Sequence, residues 1–320
     1  MNLFLKKYEP KYKKIWDSHV TSSHNGTFLF QRGYMDYHSD RFVDHSIMFF
    51  FKDQLLAILP ASEDKLVISS HGGLTYGGII YDHRMTTQLI LSCFKLLCSY
   101  YKNLGFTDLV YKPVPHIYHS KPAEEDLYAL HRCNATLFAR GPSSTINLEI
   151  TPFPGKKLNG CKRGIKNGLD VIEVSDPTDL ILEINNNLHK RHQLSCVHNS
   201  QEMHFLKSRF NKNIELFELI HKSQNKVGGA VVYLSKSVAH IQYMVVNDEG
   251  RPLRGTDVLL HALTSRYREN YKYLDFGISS ENNGFYLNES LISQKEAFSA
   301  TVICYDIYNL NFRTGIEMLD

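Results

Sequence analysis

The chain has 320 residues, of which 43% are hydrophobic and 22% charged, and its formal net charge is +3. These proportions are typical of a folded globular protein and exclude a disordered or collagen-like chain. The small net charge does not favour a broad DNA-binding surface. No apolar run approaches the length of about eighteen residues that a membrane span needs, so we expect a cytoplasmic protein without a transmembrane segment.

The cysteine pattern indicates the redox state of the thiols, and the chain length indicates the number of domains. The six cysteines form neither a C-x-x-C pair nor a Cys/His metal spacing. We therefore expect reduced thiols and no bound metal. The chain is longer than one hydrophobic core usually supports, so we expect two domains, over 1–148 and 149–320.

The first half of the chain predicts strands around a glycine-rich loop. Helices are predicted over 12–22 and 85–104. Runs of β-branched and aromatic residues predict strands over 46–51, 55–60, 66–69 and 109–112. The loop 71–78 contains four glycines, which permit close backbone approach or a positive φ. This loop, which includes Tyr76, either faces a ligand as a substrate-binding segment or is a structural bend between strands.

A basic stretch joins the two halves. After a helix over 123–133 and strands over 136–140 and 145–150, residues 156–169 predict a basic helix. This stretch carries five cations and lacks compensating acids. It is either a surface that meets phosphates, with Lys162 and Arg163 as substrate-binding candidates, or a solvated helix face.

Two histidines bracket a short loop in the second half. The helix predicted over 177–192 ends in cations, which are favourable at a helix C-terminus, and Ser200 is the expected N-cap of the next helix. These local effects do not explain His192 and His198. Histidine has an ordinary pKa that suits a general base near neutral pH, so both are catalytic candidates.

The remaining elements follow the order β-β-β-loop-α-β. Strands are predicted over 214–220, 227–234, 238–246 and 273–278, with helices over 257–270 and 291–298 and a last strand from 301. The strand over 273–278 ends in a polar loop, a place where α/β proteins bind ligands. Substrate-binding candidates from this part of the chain are Gln242, Ser279, Glu281, Asn283, Tyr286 and Lys295.

This order of elements over residues 214–308 resembles the acyltransferase domain of the GNAT superfamily. The first half repeats the order, so the whole chain resembles the FemABX-like group, in which two such domains are fused. The resemblance implies an α/β (α+β) fold of two tandem GNAT-like domains, each a mixed twisted sheet flanked by helices. It also implies an N-acyltransferase.

The resemblance further implies a donor site before the helix predicted from residue 257. GNAT enzymes carry the pattern Q/R-x-x-G-x-G/A there, whose backbone N–H groups bind the pyrophosphate of coenzyme A. The nearest match consists of Arg251, Arg254, Gly255 and Thr256, without the usual spacing or the second small residue. Acyl-CoA is therefore one candidate donor, and aminoacyl-tRNA, which many FemABX-like proteins use, is the other. The alternative is a structural turn with Asp257 as a helix cap.

His240 and Asp275 are the catalytic candidates on the strands of the second half. Acyl transfer to an amine needs a base, donors for the carbonyl oxygen and a proton for the leaving atom. In the GNAT fold the two strands that carry these residues splay to form the cleft. Strand alternation predicts that His240, Gln242 and Met244 share one face. The alternative is that His240 is a hydrogen-bonded core residue.

The expected reaction is transfer of an acyl or aminoacyl group to an amine. Resemblance to proteins of bacterial surface-polysaccharide pathways implies an amino sugar or cell-envelope glycan precursor as acceptor, linked to a nucleotide or a lipid. An aminoacyl-tRNA-dependent peptidyltransferase is an alternative function. The alternative to an enzyme is a non-catalytic relative that kept the fold and binds a ligand. The loop 251–257, which departs from the GNAT pattern, keeps this alternative open.

Overall fold

The computed structural model describes residues 3–192, 195–223 and 225–319, except the side chains of Arg191 and His192. The chain packs as two compact units. Within the described residues, unit 1 comprises 3–142, 280–286 and 304–319, and unit 2 comprises 143–279 and 287–303. The units are not consecutive stretches, and the predicted domain bounds at residues 148 and 149 stay a prediction.

Both units contain strands and helices. The strands are β1 (Leu3–Lys7), β2 (Val43–Asp44), β3 (Ile47–Phe51), β4 (Gln54–Leu59), β5 (Ser62–Asp64), β6 (Val67–Ser69), β7 (Ile80–Tyr81), β8 (Asp108–Tyr111), β9 (Thr136–Asn147), β10 (Leu169–Val174), β11 (Ile214–His221), β12 (Lys226–Leu234), β13 (Val238–Val246), β14 (Tyr273–Ile278), β15 (Ser280–Glu281), β16 (Tyr286–Leu287) and β17 (Thr301–Asn311). The helices are α1 (Lys13–Ser22), α2 (Arg32–Met35), α3 (Thr87–Asn103), α4 (Glu125–Arg132), α5 (Gly155–Lys166), α6 (Thr178–His192), α7 (Ser200–Arg209), α8 (Gly255–Tyr267), α9 (Glu289–Glu296) and α10 (Phe312–Leu319).

Three local predictions are wrong. The two strands predicted over 136–140 and 145–150 are one strand, β9, because the fixed φ of Pro142 is compatible with an extended chain. The basic helix ends at Lys166 rather than extending to 169, and Gly168 turns the chain into β10 with a φ of 91°. The N-cap of α7 is Asn199 rather than Ser200, and it forms a capping box with Glu202.

The sheet of unit 2 has the strand order β10-β11-β12-β13-β14-β9. Only β13 and β14 are parallel neighbours among these strands, and α8 is the crossover that a parallel pair requires. β12 is buried on both faces, which its unbroken apolar run explains. On one face, Val232 and Ile241 pack in a core with Leu259 and Leu263 of α8.

The basic helix α5 packs closely against α8 because two of its contact positions are glycines. A Cβ on Gly160 would lie 2.0 Å from the Asp257 Oδ2 atom, and a Cβ on Gly164 would lie 2.4 Å from Val258 Cγ2. Larger residues at these positions would push the two helices apart. The contact therefore brings the cations of α5 close to the first turn of α8.

β13 carries a bulge at Gln242. Val231 of β12 pairs with Tyr243, and the next residue, Val232, pairs with Ile241, so Gln242 is the extra residue. Cross-strand partners share a face, which places Tyr243 on the same face as His240. The predicted grouping of His240 with Met244 is therefore wrong, since the bulge reverses the alternation after residue 242.

Unit 1 contains a second parallel pair, formed by β6 and β8 and joined by α3. Its strands belong to the orders β1-β3-β4-β7 and β17-β8-β6-β5-β2. Beyond the paired residues, the segment 70–79 closes over the end of β8. The Gly77 N–H donates to the Lys112 carbonyl at 2.7 Å, and the Ile79 N–H donates to the Tyr111 hydroxyl at 2.8 Å.

Candidate active site

A histidine and a carboxylate face each other on the parallel strands of unit 2. The pairing of β13 with β14 ends with His240 opposite Asp275. The Nδ1 atom of His240 lies 2.8 Å from Oδ2 of Asp275. The two side chains therefore form a hydrogen-bonded dyad at the last paired position of the two strands.

Asp275 is surrounded by hydrogen-bonding side chains. Its side chain is fully buried, and its Oδ1 atom accepts hydrogen bonds from the Ser143 hydroxyl at 2.7 Å and the Thr145 hydroxyl at 2.9 Å. Both hydroxyls come from β9, the other neighbour of β14. An ionised carboxylate only accepts hydrogen bonds, so in that state His240 donates its Nδ1–H to Asp275. The Nε2 atom of His240 then carries the lone pair that can accept a proton.

The strand that carries Asp275 bends directly after it. The register of β14 against β9 is irregular between Asp275 and Ile278, and Gly277 has a φ of 72°. The Gly277 N–H lies 3.3 Å from Oδ1 of Asp275. The bend ends the pairing with β13 at the dyad, and the left-handed conformation at residue 277 favours glycine there.

His198 lies on the same face of the sheet as His240. It is buried, and its Nδ1 atom lies 2.7 Å from the Tyr243 hydroxyl. Its ring also contacts Tyr233, the residue that pairs with His240 across β12 and β13. The structure thus brings two of the three predicted catalytic histidines to one face. The side chain of His192, the last residue of α6, lies outside the described part of the structure.

Lys295 is buried beside the segment that follows Asp275. Its Nζ atom donates to the Gly277 carbonyl at 2.9 Å, the Ile278 carbonyl at 3.2 Å and the Ser279 hydroxyl at 2.8 Å. Burial lowers the pKa of Lys295 to about 8, and the negative charge of Asp275 opposes this shift. Ser279, another predicted substrate-binding residue, is buried in the same contact.

The predicted donor-binding residues meet at the first turn of α8. A cavity of about 180 Å³ is lined there by Lys157, Arg251, Arg254, Thr256, Asp257, Gln294 and Phe298. A second cavity, of about 370 Å³, shares Lys157, Arg254 and Asp257 with it and extends along α5 to Lys156 and Arg163. We call the two together the α8 pocket. Gly255 is the first residue of the helix and is buried.

The α8 pocket carries more cations than acids. Lys157 lies 3.5 Å from Asp257, and Arg251 pairs with Asp248 at 3.1 Å. Among the residues that the structure describes, no carboxylate forms an ion pair with Lys156, Arg163 or Arg254. Positive charge at a helix N-terminus, where backbone N–H groups lack intrahelical partners, is the arrangement that binds phosphates.

Helix α9 contributes to both parts of the site. Gln294 lines the α8 pocket, whereas the next residue, Lys295, contacts the segment after Asp275. Phe298, directly after this helix, also lines the pocket, and the Lys157 ammonium lies 4.3 Å from the centre of its ring. The dyad and the pocket are therefore connected through one helix of unit 2.

The other predicted site residues lie elsewhere. Gln242 is the half-buried bulge residue of β13, and Lys162 is exposed on α5. Glu281, Asn283 and Tyr286 are exposed and belong to unit 1. Their contact with substrate stays a prediction.

Tyr76 lies in an aromatic cluster of unit 1. Only 4% of its surface is exposed, and its ring lies 4.6 Å from that of Tyr118 and 6.0 Å from that of Phe30. Neighbouring Gly77 could not carry a side chain, because its Cβ would lie 2.1 Å from the Ser70 carbonyl oxygen. These contacts support the structural alternative for the loop 71–78.

Several residues of the site were not foreseen. Ser143 and Thr145 lie in a run of hydroxyl residues, Ser143-Ser144-Thr145, but nothing in that run identifies β14 as its partner strand. Tyr243 was assigned to the opposite face because the bulge has no sequence signal. Lys157 was part of the basic stretch, and its place beside α8 depends on the glycines of α5.

Comparison with known proteins gives structural but not sequence matches. No family model matches the sequence, and no curated protein matches it. Among solved structures, FemX is similar at 10% identity, covering 96% of this chain and 97% of that one with a TM-score of 0.69. L-PGS from Bacillus licheniformis is 12% identical over 98% of each chain, with a TM-score of 0.61. A tandem GNAT protein from the clavulanic acid biosynthesis pathway is 9% identical over 97% of this chain and 99% of that one, with a TM-score of 0.58.

The chain has a tandem GNAT-like fold. This confirms the predicted fold class of two GNAT-like domains with mixed sheets and flanking helices. At these identities the similarity concerns the fold alone. Within the described ranges, no helix of this GNAT-like chain is long and apolar enough to cross a membrane. The described His, Cys, Asp and Glu side chains also form no group of three or more that could hold a metal ion.

Proposed function

We propose that the protein is an N-acyltransferase that moves an acyl or aminoacyl group from a phosphate-bearing donor to an amine. The observation that carries this proposal is the His240–Asp275 dyad, in which a buried carboxylate orients an imidazole with its Nε2 lone pair outward from the contact. An imidazole oriented in this way is suited to act as a general base. Its position at the end of the parallel pair, in a GNAT-like fold, supports acyl transfer in particular.

The reaction forms one amide bond. The amine nitrogen attacks the carbonyl carbon of the donor, and the bond from that carbon to the leaving sulfur or oxygen breaks. His240 Nε2 accepts the proton that the amine nitrogen loses, while the Asp275 carboxylate stabilises the imidazolium that forms. The leaving thiolate or alkoxide takes up one proton, so atoms and charge balance over the turnover.

The donor binds with its phosphates in the α8 pocket. The first turn of α8 supplies backbone N–H groups, and Arg254 and Lys156 supply charge that no described acid neutralises. Acyl-CoA and aminoacyl-tRNA both carry phosphates next to an activated acyl group, so both fit this chemistry. AcCoA is the ligand named for the tandem GNAT protein noted above, whose structure was solved without it, so a coenzyme A thioester is the first donor to test.

The acceptor is an amine, and we place it on an amino sugar or another cell-envelope glycan precursor. This choice follows from the resemblance to FemABX-like proteins of bacterial surface-polysaccharide pathways. A nucleotide-linked or lipid-linked form of the sugar is part of the same proposal.

The experiment is an amide-forming assay read by mass spectrometry. Wild-type protein is incubated with acetyl-CoA, longer acyl-CoAs or aminoacyl-tRNA, together with a panel of amino-sugar nucleotides. His240→Gln keeps a hydrogen-bond donor for Asp275 but removes the base, so we expect kcat to fall by about 10²–10⁴-fold with donor binding retained. His204→Gln, an exposed histidine on α7 of the same unit, is the matched control and should keep wild-type kcat.

Two results would contradict the proposal. Undiminished turnover in His240→Gln would remove the dyad from the reaction. Binding of a donor by wild-type protein without any product, over the whole acceptor panel, would favour the non-catalytic ligand-binding alternative.

A further inference from the structure

The buried lysine of α9 donates its hydrogen bonds to the segment next to the dyad. Lys295 is 8% exposed, and its ammonium group has three N–H donors. These meet three acceptors in consecutive residues, namely the carbonyls of Gly277 and Ile278 and the hydroxyl of Ser279. The ammonium is therefore committed to holding residues 277–279 rather than to a ligand.

The segment that Lys295 holds is in direct contact with both members of the dyad. The Gly277 N–H lies 3.3 Å from Oδ1 of Asp275. A Cβ built on Gly277 would lie 3.5 Å from Cε1 of His240, so the backbone of residue 277 lies against the imidazole ring. A shift of this segment would change the environment of the carboxylate and of the ring together.

The backbone at this point needs an external restraint. Pairing of β14 with β13 stops at Asp275, its pairing with β9 is irregular between Asp275 and Ile278, and Gly277 adopts a positive φ. Glycine in such a bend has more conformational freedom than any other residue. The pairing of Ile278 with Ser143 and a hydrogen bond from the Asn288 N–H to the Ser279 carbonyl hold part of this segment, and three hydrogen bonds from one buried ammonium add a restraint that includes Gly277.

We infer that Lys295 is a positioning residue, which fixes residues 277–279 from α9 and thereby keeps Asp275 and His240 in the orientation that the base requires. This inference deepens the proposed function and rests on it for its catalytic consequence. Their hydrogen bonds separate the two roles: Lys295 donates all three of its N–H groups to residues 277–279, whereas His240 uses Nδ1 on Asp275 and keeps Nε2 for a substrate. The cost of burying the ammonium, seen in its lowered pKa, is offset by the three charge-assisted hydrogen bonds.

Unit 1 offers a matched control for this residue. Lys112 is a half-buried lysine, and its desolvation lowers its pKa to about 8. Its Nζ atom donates to the carbonyls of His71 and Leu74, so it too holds a loop after a strand. Lys112→Met and Lys295→Met therefore remove the same chemistry from two comparable places, and only one of them adjoins the dyad.

The experiment measures the dyad directly and then turnover. The Nδ1–H proton of His240 is followed by NMR in wild type, Lys295→Met, Lys295→Arg and Lys112→Met, with His240→Gln used to assign the signal. We expect Lys295→Met to shift or broaden this signal and raise amide hydrogen exchange at residues 277–279, with Lys295→Arg closer to wild type. Lys112→Met should leave the signal unchanged, although it destabilises the fold.

The kinetic arm distinguishes this inference from the proposed function. With an active donor and acceptor pair, Lys295→Met should lower kcat by about 10²-fold, the effect of a small misplacement, with little change in the donor KM. An unchanged His240 signal in folded Lys295→Met would overturn the positioning role, as would unchanged kcat. A changed signal in a protein whose wild type transfers no acyl group would uphold the positioning role and overturn the proposed function.

Discussion

The two units contain the same β-α-β arrangement and use it differently. In unit 1, β6 and β8 are parallel and α3 connects them, and in unit 2, β13 and β14 are parallel and α8 connects them. In unit 1 the segment 70–79 covers the end of this strand pair. It forms hydrogen bonds with the backbone and side chains of β8 and with Lys112. In unit 2 the corresponding position carries His240 and Asp275.

The crossover helices α3 and α8 also differ, in whether a side chain caps the first turn. In unit 1 the N-cap of α3 is Thr86, whose hydroxyl accepts a hydrogen bond from the Leu89 N–H. In unit 2 the N-cap of α8 is Arg254, which has a φ of 73° and makes no side-chain cap. The cap satisfies one of the free N–H groups at the start of α3, whereas no N-cap side chain occupies the start of α8, where neighbouring cations favour an anion.

Histidines show the contrast at the level of single side chains. In unit 1, His19 and His119 contact the backbone carbonyls of Ile80 and Val114, and burial lowers the pKa of both. Unit 1 also pairs a histidine with a carboxylate, His45 with Glu63 of β5, but His240 differs in pairing with Asp275 at the end of a parallel strand pair. The comparison teaches that the end of the parallel pair carries polar side chains in unit 2, whereas in unit 1 the segment 70–79 closes it.

The largest expected effect comes from removing the charge of the dyad. Asp275→Asn should lower kcat by about 10²–10⁴-fold, because an amide can offer His240 a donor and no longer stabilises the imidazolium. Steady-state kinetics on folded protein is the measurement. Ser70→Ala, which removes the acceptor of the Lys112 N–H in unit 1, should lower Tm while kcat per folded molecule stays at the wild-type value. Equal kinetic losses in both variants would break the comparison.

A smaller effect is expected at the helix N-termini. Arg254→Ala should weaken donor binding by about 1–3 kcal/mol, the range for hydrogen bonds to charged groups, with little change in Tm. Thr86→Ala in unit 1 should do the reverse and lower stability by about 1 kcal/mol through the lost cap, without an effect on donor affinity. Calorimetric titration and thermal unfolding measure the two quantities. Wild-type donor affinity in Arg254→Ala would remove the α8 pocket from the donor site.

An effect on stability alone concerns the pH dependence of unit 1. Burial lowers the pKa of His71 to about 3, whereas its ordinary value is about 6.5. Between these pH values the unfolded chain binds a proton that the folded one excludes, so stability falls as the pH falls, by up to about 1.4 kcal/mol per pH unit. His71→Asn, which suits the left-handed φ of 61°, should flatten the slope of urea-unfolding free energy between pH 6.5 and 4. An unchanged slope would show that His71 does not titrate in this way.

Much of the second unit could be predicted from the sequence. β13 and β14 have the predicted bounds because each segment is rich in β-branched, aromatic and other apolar residues and is bounded by polar residues. Single-strand patterns do not reveal partners, however. The hydrogen bond from Ser143 to Asp275 spans 132 residues of sequence, and no local signal connects the two. The place of α5 beside α8 could not be predicted either, because it depends on which face of each helix the tertiary packing selects.

The bulge at Gln242 changes which residues of β13 share a face of the sheet, because it shifts the odd and even count along the strand. In a regular strand, residues an even number apart share a face, and residues three apart do not. His240 and Tyr243 are three apart and share one, because the extra residue turns an odd separation into an effective even one. Inserting or deleting one residue between them would thus preserve the apolar composition of β13 and still separate the His198–Tyr243 contact from the dyad. The length of this short interval, more than the identity of the residues in it, sets which side chains meet.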